Sequence, residues 1–198
     1  MSIRLALLRH AATEWNRAQR LQGRRDIALS AAGRSQAASW RLPAELRGWR
    51  CLASPLARAL ETARLLGFSA PHPEPALIEM DWGEWEGETV AGLRARLGAL
   101  MAENEARGLD FCPPGGESPR QVMERLQNWL GTLTAEHGPL LCITHKGVIR
   151  AALALATGWN MRGKPPWRLD WTCAQVFHWD GRTLHVERLN LPLQPAGD

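Results

Sequence analysis

Two short apolar runs, Ile3 to Leu8 and Leu140 to Thr144, stop abruptly at ionisable pairs, Arg9-His10 and His145-Lys146. Near-continuous runs of this length suit strands buried on both faces of a parallel sheet, with no wet side to impose alternation. A third short run, Cys51-Leu52-Ala53, ends at Ser54-Pro55. Parallel strands have to be joined by crossovers of a dozen residues or more, usually helical. That requirement narrows the chain to an architecture in which helices cover a central sheet.

The intervening segments carry helix signals. Ser30 is placed to cap a helix from about Ala31 towards Leu46. Ser54 and Pro55 read as the cap and first position of another, closing near Gly67. Leu93, Leu97, Leu100 and Met101 recur at helical spacing within Val90 to Arg107. Pro113-Pro114-Gly115-Gly116 is a break, after which Ser118-Pro119 opens a helix to about Glu136. A further helix runs from Gly147 to Thr157. Ala76 to Met80 reads as a short extended segment entering a Trp/Gly/Glu-rich loop. Ala174–Trp179 and Thr183–Leu189 read as a hairpin turning at Asp180-Gly181, and Pro192–Asp198 as a loose tail. Strand and helix alternate, so the expected fold is a three-layer α/β/α arrangement with a mostly parallel sheet plus an antiparallel strand. The 198 residues suit a single domain spanning 1–198. The long region 80–116 reads as an insertion able to cover a site.

Composition removes several classes. The formal charge is +4, and the basic residues are almost all arginine, with Lys146 and Lys164 the two lysines. They are scattered along the chain, which favours small anionic substrates over nucleic acid. No run approaches the ~18 apolar residues of a membrane span, and the N-terminus lacks the pattern of a secretion signal; the cytoplasm is the expected location. The four cysteines are far apart, without metal-ligand spacing or a disulfide framework. No Asp/Glu cluster offers a magnesium site, so no cofactor or metal is expected.

Ligands of open α/β sheets bind outside the carboxyl ends of the strands. Arg9-His10, Ser54 to Arg58 and His145-Lys146 all follow strands, and adjacent parallel strands would gather them. Two histidines, two arginines and a lysine near helix N-termini make an anion site. Arginine forks suit phosphate oxygens, and a histidine can itself be the covalent nucleophile. The fit is to phosphoryl transfer.

The same positions carry ordered blocks: Leu8-Arg9-His10-Ala11-Ala12-Thr13-Glu14-Trp15-Asn16, Ser54-Pro55-Leu56-Ala57-Arg58, Ile78-Glu79-Met80-Asp81-Trp82-Gly83, Pro114-Gly115-Gly116-Glu117-Ser118 and Thr144-His145-Lys146-Gly147. In this order they resemble the histidine phosphatase superfamily, the phosphoglycerate-mutase-like proteins, and most of all its α-ribazole-phosphatase and broad-specificity branch. The resemblance implies that His10 is phosphorylated and that Arg9 and Arg58 hold the phosphoryl oxygens. It implies that His145 stabilises the same group, that Asn16 assists, and that Glu79 is the general acid and base. Asp81, Glu84 and Glu86 compete for that last role. Two residues depart from the family pattern: Ala11 stands where glycine is usual, and Lys146 replaces the first glycine after the second histidine. Lys146 is either a solvent-facing lysine at a helix start or an extra cation at the pocket mouth that favours doubly anionic substrates.

The resulting expectation is a phosphomonoesterase for a small phosphorylated metabolite. Phosphoglycerate-mutase-type transfer and a catalytically silent phospho-ligand binding protein are the alternatives. Oligomeric state and substrate are not readable from these residues.

Overall fold

The computed structural model describes residues 2–195. Its strands are β1 (Ile3–Arg9), β2 (Trp40–Arg41), β3 (Arg50–Ala53), β4 (His72–Pro73), β5 (Leu140–Thr144), β6 (Cys173–Trp179), β7 (Leu184–Pro192) and β8 (Gln194–Pro195). Its helices are α1 (Glu14–Arg17), α2 (Ala31–Ser39), α3 (Ala57–Leu65), α4 (Val90–Leu97), α5 (Ala99–Ala106), α6 (Pro119–Thr132) and α7 (Lys146–Thr157). The main sheet has the order β4-β3-β5-β1-β6-β7. β4, β3, β5 and β1 pair in parallel, while β6 runs against both its neighbours, β1 and β7. This is the expected mostly parallel sheet with one reversed strand.

Successive residues of a strand face opposite sides, and the side chains of β1 divide accordingly. Ile3, Leu5 and Leu7 join Leu126, Leu130, Ile149 and Leu153 in the core under α6 and α7. Ala6 and Leu8 join Ala59 and Ala63 of α3 in the core on the other face. Beyond Arg4, whose partly exposed side chain pairs with Glu187, both sides of β1 are dry, which is why the run is apolar without alternation.

Several local expectations need correction. The helix expected to run towards Leu46 stops at Ser39, and Trp40–Arg41 turn into β2. Pro43 disfavours helix in the residue before it and cannot donate a backbone hydrogen bond. The helix expected over Val90 to Arg107 is broken at Gly98, whose φ of 52° is a left-handed value that interrupts the helical repeat. Residues Pro75–Leu77 form a 3-10 turn where an extended segment was expected. Ser118 caps α6 as expected, with Gln121 completing a capping box, but the helix ends at Thr132, short of Glu136. Residues 192–195 are not loose: Pro192 ends β7, and β8 pairs with β2. Residues 196–198 of the expected tail lie outside the described residues.

Ser54 is the most informative correction. It does not cap α3; Leu56 occupies the N-cap without a side-chain bond. Asp26, reaching from a separate loop, accepts from the Ala57 N–H at 2.7 Å instead and satisfies an open helix donor. Ser54 is thereby freed for the site below.

Candidate active site

Strand register assembles the site. Arg9 lies opposite Thr144, and Ala53 opposite Ile143. One residue further, the His10 N–H donates to the Thr144 carbonyl and the Ser54 N–H to the Ile143 carbonyl, both at 2.9 Å. His10, Ser54 and His145 thus leave three adjacent parallel strands at one edge. The two imidazoles stand 5.0 Å apart between ring centroids.

His10 is 4% exposed and His145 0%. Burial first, then the charges of Arg9 and Arg58, hold His10 well below the ordinary histidine pKa. Burial, then His10 and the same two arginines, do likewise for His145. Both rings are therefore neutral near neutral pH, and a neutral imidazole has one N–H and one lone pair. His10 Nδ1 lies 2.7 Å from the Ala11 carbonyl, which can only accept. The proton is thus on Nδ1, and Nε2 keeps its lone pair. His145 Nε2 lies 2.7 Å from the Ser54 hydroxyl. Because the Leu56 N–H donates to that same oxygen at 3.4 Å, the hydroxyl proton is available to Nε2, leaving the ring proton on Nδ1. Both rings are thus Nδ1–H tautomers, but the nitrogen bonded to its neighbour is Nδ1 in His10 and Nε2 in His145.

Arg58 is fully buried. Its guanidinium donates to the Arg25 carbonyl at 2.8 Å and the Gly23 carbonyl at 2.7 Å. Burial lowers its pKa, opposed by Glu79, Asp26 and Glu86. Arg9 is lowered by burial as well, opposed by Glu79 and pushed further by Arg58. Arg9 Nε, Arg58 Nε and His145 Nδ1 are buried without a hydrogen-bond partner among the described residues. Native interiors pair such groups almost without exception. Three orphan donors at one spot define an acceptor-rich anion as the missing partner.

Glu79 completes the cluster. Its Oε1 accepts from the Met80 N–H at 2.9 Å and the Gly147 N–H at 3.0 Å. Burial raises its pKa, and this outweighs the lowering by those two bonds and by Arg58 and Arg9. A Cβ at position 147 would collide with that carboxylate, so glycine at the first turn of α7 lets the acid approach. Of the competing carboxylates, Asp81 accepts from the Gly83 N–H at 2.8 Å and faces Arg24 at 3.5 Å. Glu86 accepts from the Arg24 N–H at 2.6 Å and faces Arg25 at 3.5 Å. Glu84 is exposed.

Two further expected site residues are placed less directly. Asn16 is the third residue of α1, and its side-chain oxygen accepts from the Thr13 N–H at 3.0 Å in a capping box. Only its amide NH₂ is left for another partner. Lys146 is exposed, with its ammonium 4.9 Å from the centroid of the Trp171 ring. The methyl of Ala11 packs with Leu29 and Ala37, which accommodates the departure from glycine.

Several positioning residues escaped sequence reasoning. Thr62 accepts from the Ala11 N–H at 3.0 Å and donates to the Arg58 carbonyl at 2.7 Å, tying the histidine loop to α3. Arg125 donates to the Ala76 and Ile78 carbonyls at 2.5 and 2.6 Å and to Glu117 at 2.9 Å, clamping the segment that carries Glu79. Ser54 could have been suspected, because it follows a strand at the same sheet edge as His10. Arg125 sits in an ordinary amphipathic helix and gives no local signal.

A sheet edge that presents an unprotonated imidazole nitrogen to converging guanidinium groups, with a protonatable carboxyl alongside, defines a phosphoryl-handling protein of the α/β class. The chain belongs to the histidine phosphatase superfamily (branch 1), whose family model matches residues 5–192. It is 35% identical over 170 residues to glucosyl-3-phosphoglycerate phosphatase of Mycolicibacterium vanbaalenii, covering 78% of this chain and 74% of that one. It is 33% identical over 172 residues to the metal-independent phosphoserine phosphatase of Arabidopsis thaliana, covering 81% and 71%. Among solved structures, mycobacterial glucosyl-3-phosphoglycerate phosphatase in complex with VO3 superposes with a TM-score of 0.79 at 26% identity, covering 96% of this chain and 99% of that one. The architecture is the phosphoglycerate mutase fold.

Proposed function

We propose that the protein is a phosphomonoesterase that hydrolyses a small phosphorylated metabolite through a phosphohistidine at His10. The observation that carries this reading is the Nδ1–H bond of His10 to the Ala11 carbonyl, which leaves Nε2 as a nucleophile facing the orphan donors. In the first half-reaction Nε2 bonds to phosphorus while the phosphorus–oxygen bond to the alcohol breaks. Glu79 gives its proton to the departing oxygen. Arg9, Arg58 and the Nδ1–H of His145 hold the phosphoryl oxygens as charge builds. In the second, the Glu79 carboxylate takes a proton from water, and the water oxygen attacks phosphorus. The nitrogen–phosphorus bond breaks, orthophosphate leaves, and His10 and Glu79 return to their starting forms. Asn16, through its amide, is an auxiliary phosphate donor in this scheme.

We read residues 80–116 as a lid on a single domain. The segment has a small core of its own, Trp85, Leu93 and Met101 with Phe111, and the Leu109 N–H bonds the Asn160 carbonyl at 3.1 Å. No helix among the described residues is long and apolar enough to cross a membrane. All four cysteines are free, which accords with a cytoplasmic setting.

Rapid acid-free quenching of a reaction with a phosphate-labelled substrate tests the mechanism. An acid-labile adduct is expected at position 10, and both adduct and p-nitrophenyl phosphate turnover are expected to vanish in His10→Ala. Continued turnover without the adduct would overturn the reading. Among the described residues no group of three or more His, Cys, Asp or Glu could hold a metal, and activity is expected to survive EDTA.

A further inference from the structure

We propose that Lys146 and Arg150, each lying across a tryptophan face on the exposed side of α7, form a subsite for a carboxylate carried by the leaving alcohol. The inference rests on the phosphatase reading and deepens it by naming a substrate class. Lys146 Nζ lies 4.9 Å from the Trp171 ring centroid, and Arg150 Cζ lies 5.2 Å from that of Trp159. Residues four apart on a helix are neighbours on one face, about 5–6 Å apart at Cβ. The two side chains therefore leave one face of α7, and the Arg150 charge is felt at Lys146.

Three observations aim this pair at the substrate. Among the described residues neither Lys146 nor Arg150 is ion-paired with a carboxylate, unlike Arg94, which faces Glu105 at 2.8 Å. A ring covers one side of each cation and fixes its long side chain, leaving the other side for an anion. Gly147, the residue after Lys146 in the same helix, holds the Glu79 carboxylate through its N–H at 3.0 Å. In the proposed mechanism Glu79 protonates the leaving oxygen. The alcohol part of the substrate must then emerge at the first turn of α7, where Lys146 and Arg150 stand.

The electrostatics agree with this geometry. Partial desolvation and then Arg9 pull Lys146 below the ordinary lysine pKa, while Glu79 opposes them. Burial lowers Arg150, again opposed by Glu79. Both cations thus share the field of the reacting centre, and a second negative charge would relieve the crowding of like charges. A carboxylate only a few bonds from the ester oxygen fits this spacing, as in a phosphorylated hydroxy acid. A simple alkyl phosphate would leave the pair unused.

The test compares 3-phosphoglycerate with glycerol 3-phosphate, which differ by a carboxylate against a hydroxymethyl group. The native protein is expected to favour the former in kcat/KM by about tenfold or more, the worth of a charge-assisted hydrogen bond. Lys146→Met and Arg150→Met should each cut that ratio about tenfold, through KM and not kcat. Lys146→Arg should retain most of it. A ratio that stays unchanged in both methionine variants, or equal losses on both probes, would overturn the proposal. Calorimetric titration of the two probes into the His10→Ala protein separates the two readings. If the native protein turns over no phosphate ester, the phosphatase reading fails. A carboxylate preference in binding, lost in the Lys146→Met and Arg150→Met backgrounds, would still support the subsite, and its absence would reject it.

Discussion

His10 and His145 stand ring to ring with the proton on Nδ1 in both, yet the nitrogen left for the phosphoryl group is Nε2 in His10 and the Nδ1–H in His145. Main-chain and hydroxyl partners set this division, one accepting from Nδ1 of His10 and the other donating to Nε2 of His145. The same local chemistry sets the pH dependence. In the proposed mechanism the nucleophile is lost as pH falls through the depressed His10 titration. The acid fails as pH rises through the raised Glu79 titration. The kcat/KM profile is therefore expected to peak on the acid side of neutrality, with its alkaline limb above the usual carboxylate range. In Glu79→Gln that limb should disappear. With p-nitrophenyl phosphate, whose leaving group needs little protonation, Glu79→Gln should release a burst of about one equivalent of nitrophenolate. Slow turnover should follow, reduced ~10²–10⁴-fold by loss of the base that activates water. Stopped-flow absorbance would read both phases, and native steady-state turnover in the variant would reject the assignment of Glu79.

At the scale of elements, α6 holds the acid segment and not merely the core. Its Arg125 grips two carbonyls of residues 76–78 and the Glu117 carboxylate at once. Arg125→Met leaves Glu117 with Arg24 at 3.6 Å as its remaining cation. Because this pair is mostly buried, the loss should cost about 2 kcal/mol in urea denaturation and lower kcat more than it raises KM. The exposed Arg94–Glu105 pair is the control: Arg94→Met should cost under ~1 kcal/mol. If the two variants lose equal stability and equal activity, the clamp is ordinary surface pairing. Legibility in sequence also divides by element. β1 and β5 are readable because two-sided burial leaves a near-continuous apolar run, and α6 because Ser118-Pro119 is a start signal. The break at Gly98 was hidden because leucine spacing continues across it. Ser54-Pro55 misled, since the same pair that starts a helix can equally end a strand at a ligand site. The start of α3 depends on Asp26, a contact between segments that no local window contains.

For the whole molecule, gathering Arg9, Arg58, His10 and His145 at one sheet edge stores unsatisfied polar groups in the interior. A tetrahedral anion repays that cost, so phosphate or vanadate should stabilise the fold. At about 100 times its Kd the gain is ~2.7 kcal/mol, roughly 5–10 °C in Tm for a chain of this size, and the gain should be lost in Arg58→Met. Acid should act in the opposite direction. Both imidazoles have folded pKa values below the unfolded 6.5, so their contribution is complete above that pH and is lost as pH falls below it. The urea midpoint is expected to drop between pH 7 and pH 5, and a flat midpoint would contradict the buried neutral state. Helix packing and register place the site within a scaffold that the sequence announces clearly, while the grip on each guanidinium comes from loops it does not.

One of those loops ties the segment 80–116 to the cage. Glu86, within the segment 80–116, receives the N–H of Arg24 and faces Arg25, and the carbonyls flanking Arg24 hold Arg58. A chimera that borrowed this segment from a relative to acquire new selectivity would also import or discard the strut beneath its own phosphate grip. Grafts that keep an acid at position 86, or exchange residues 22–25 along with it, are the ones that should stay active.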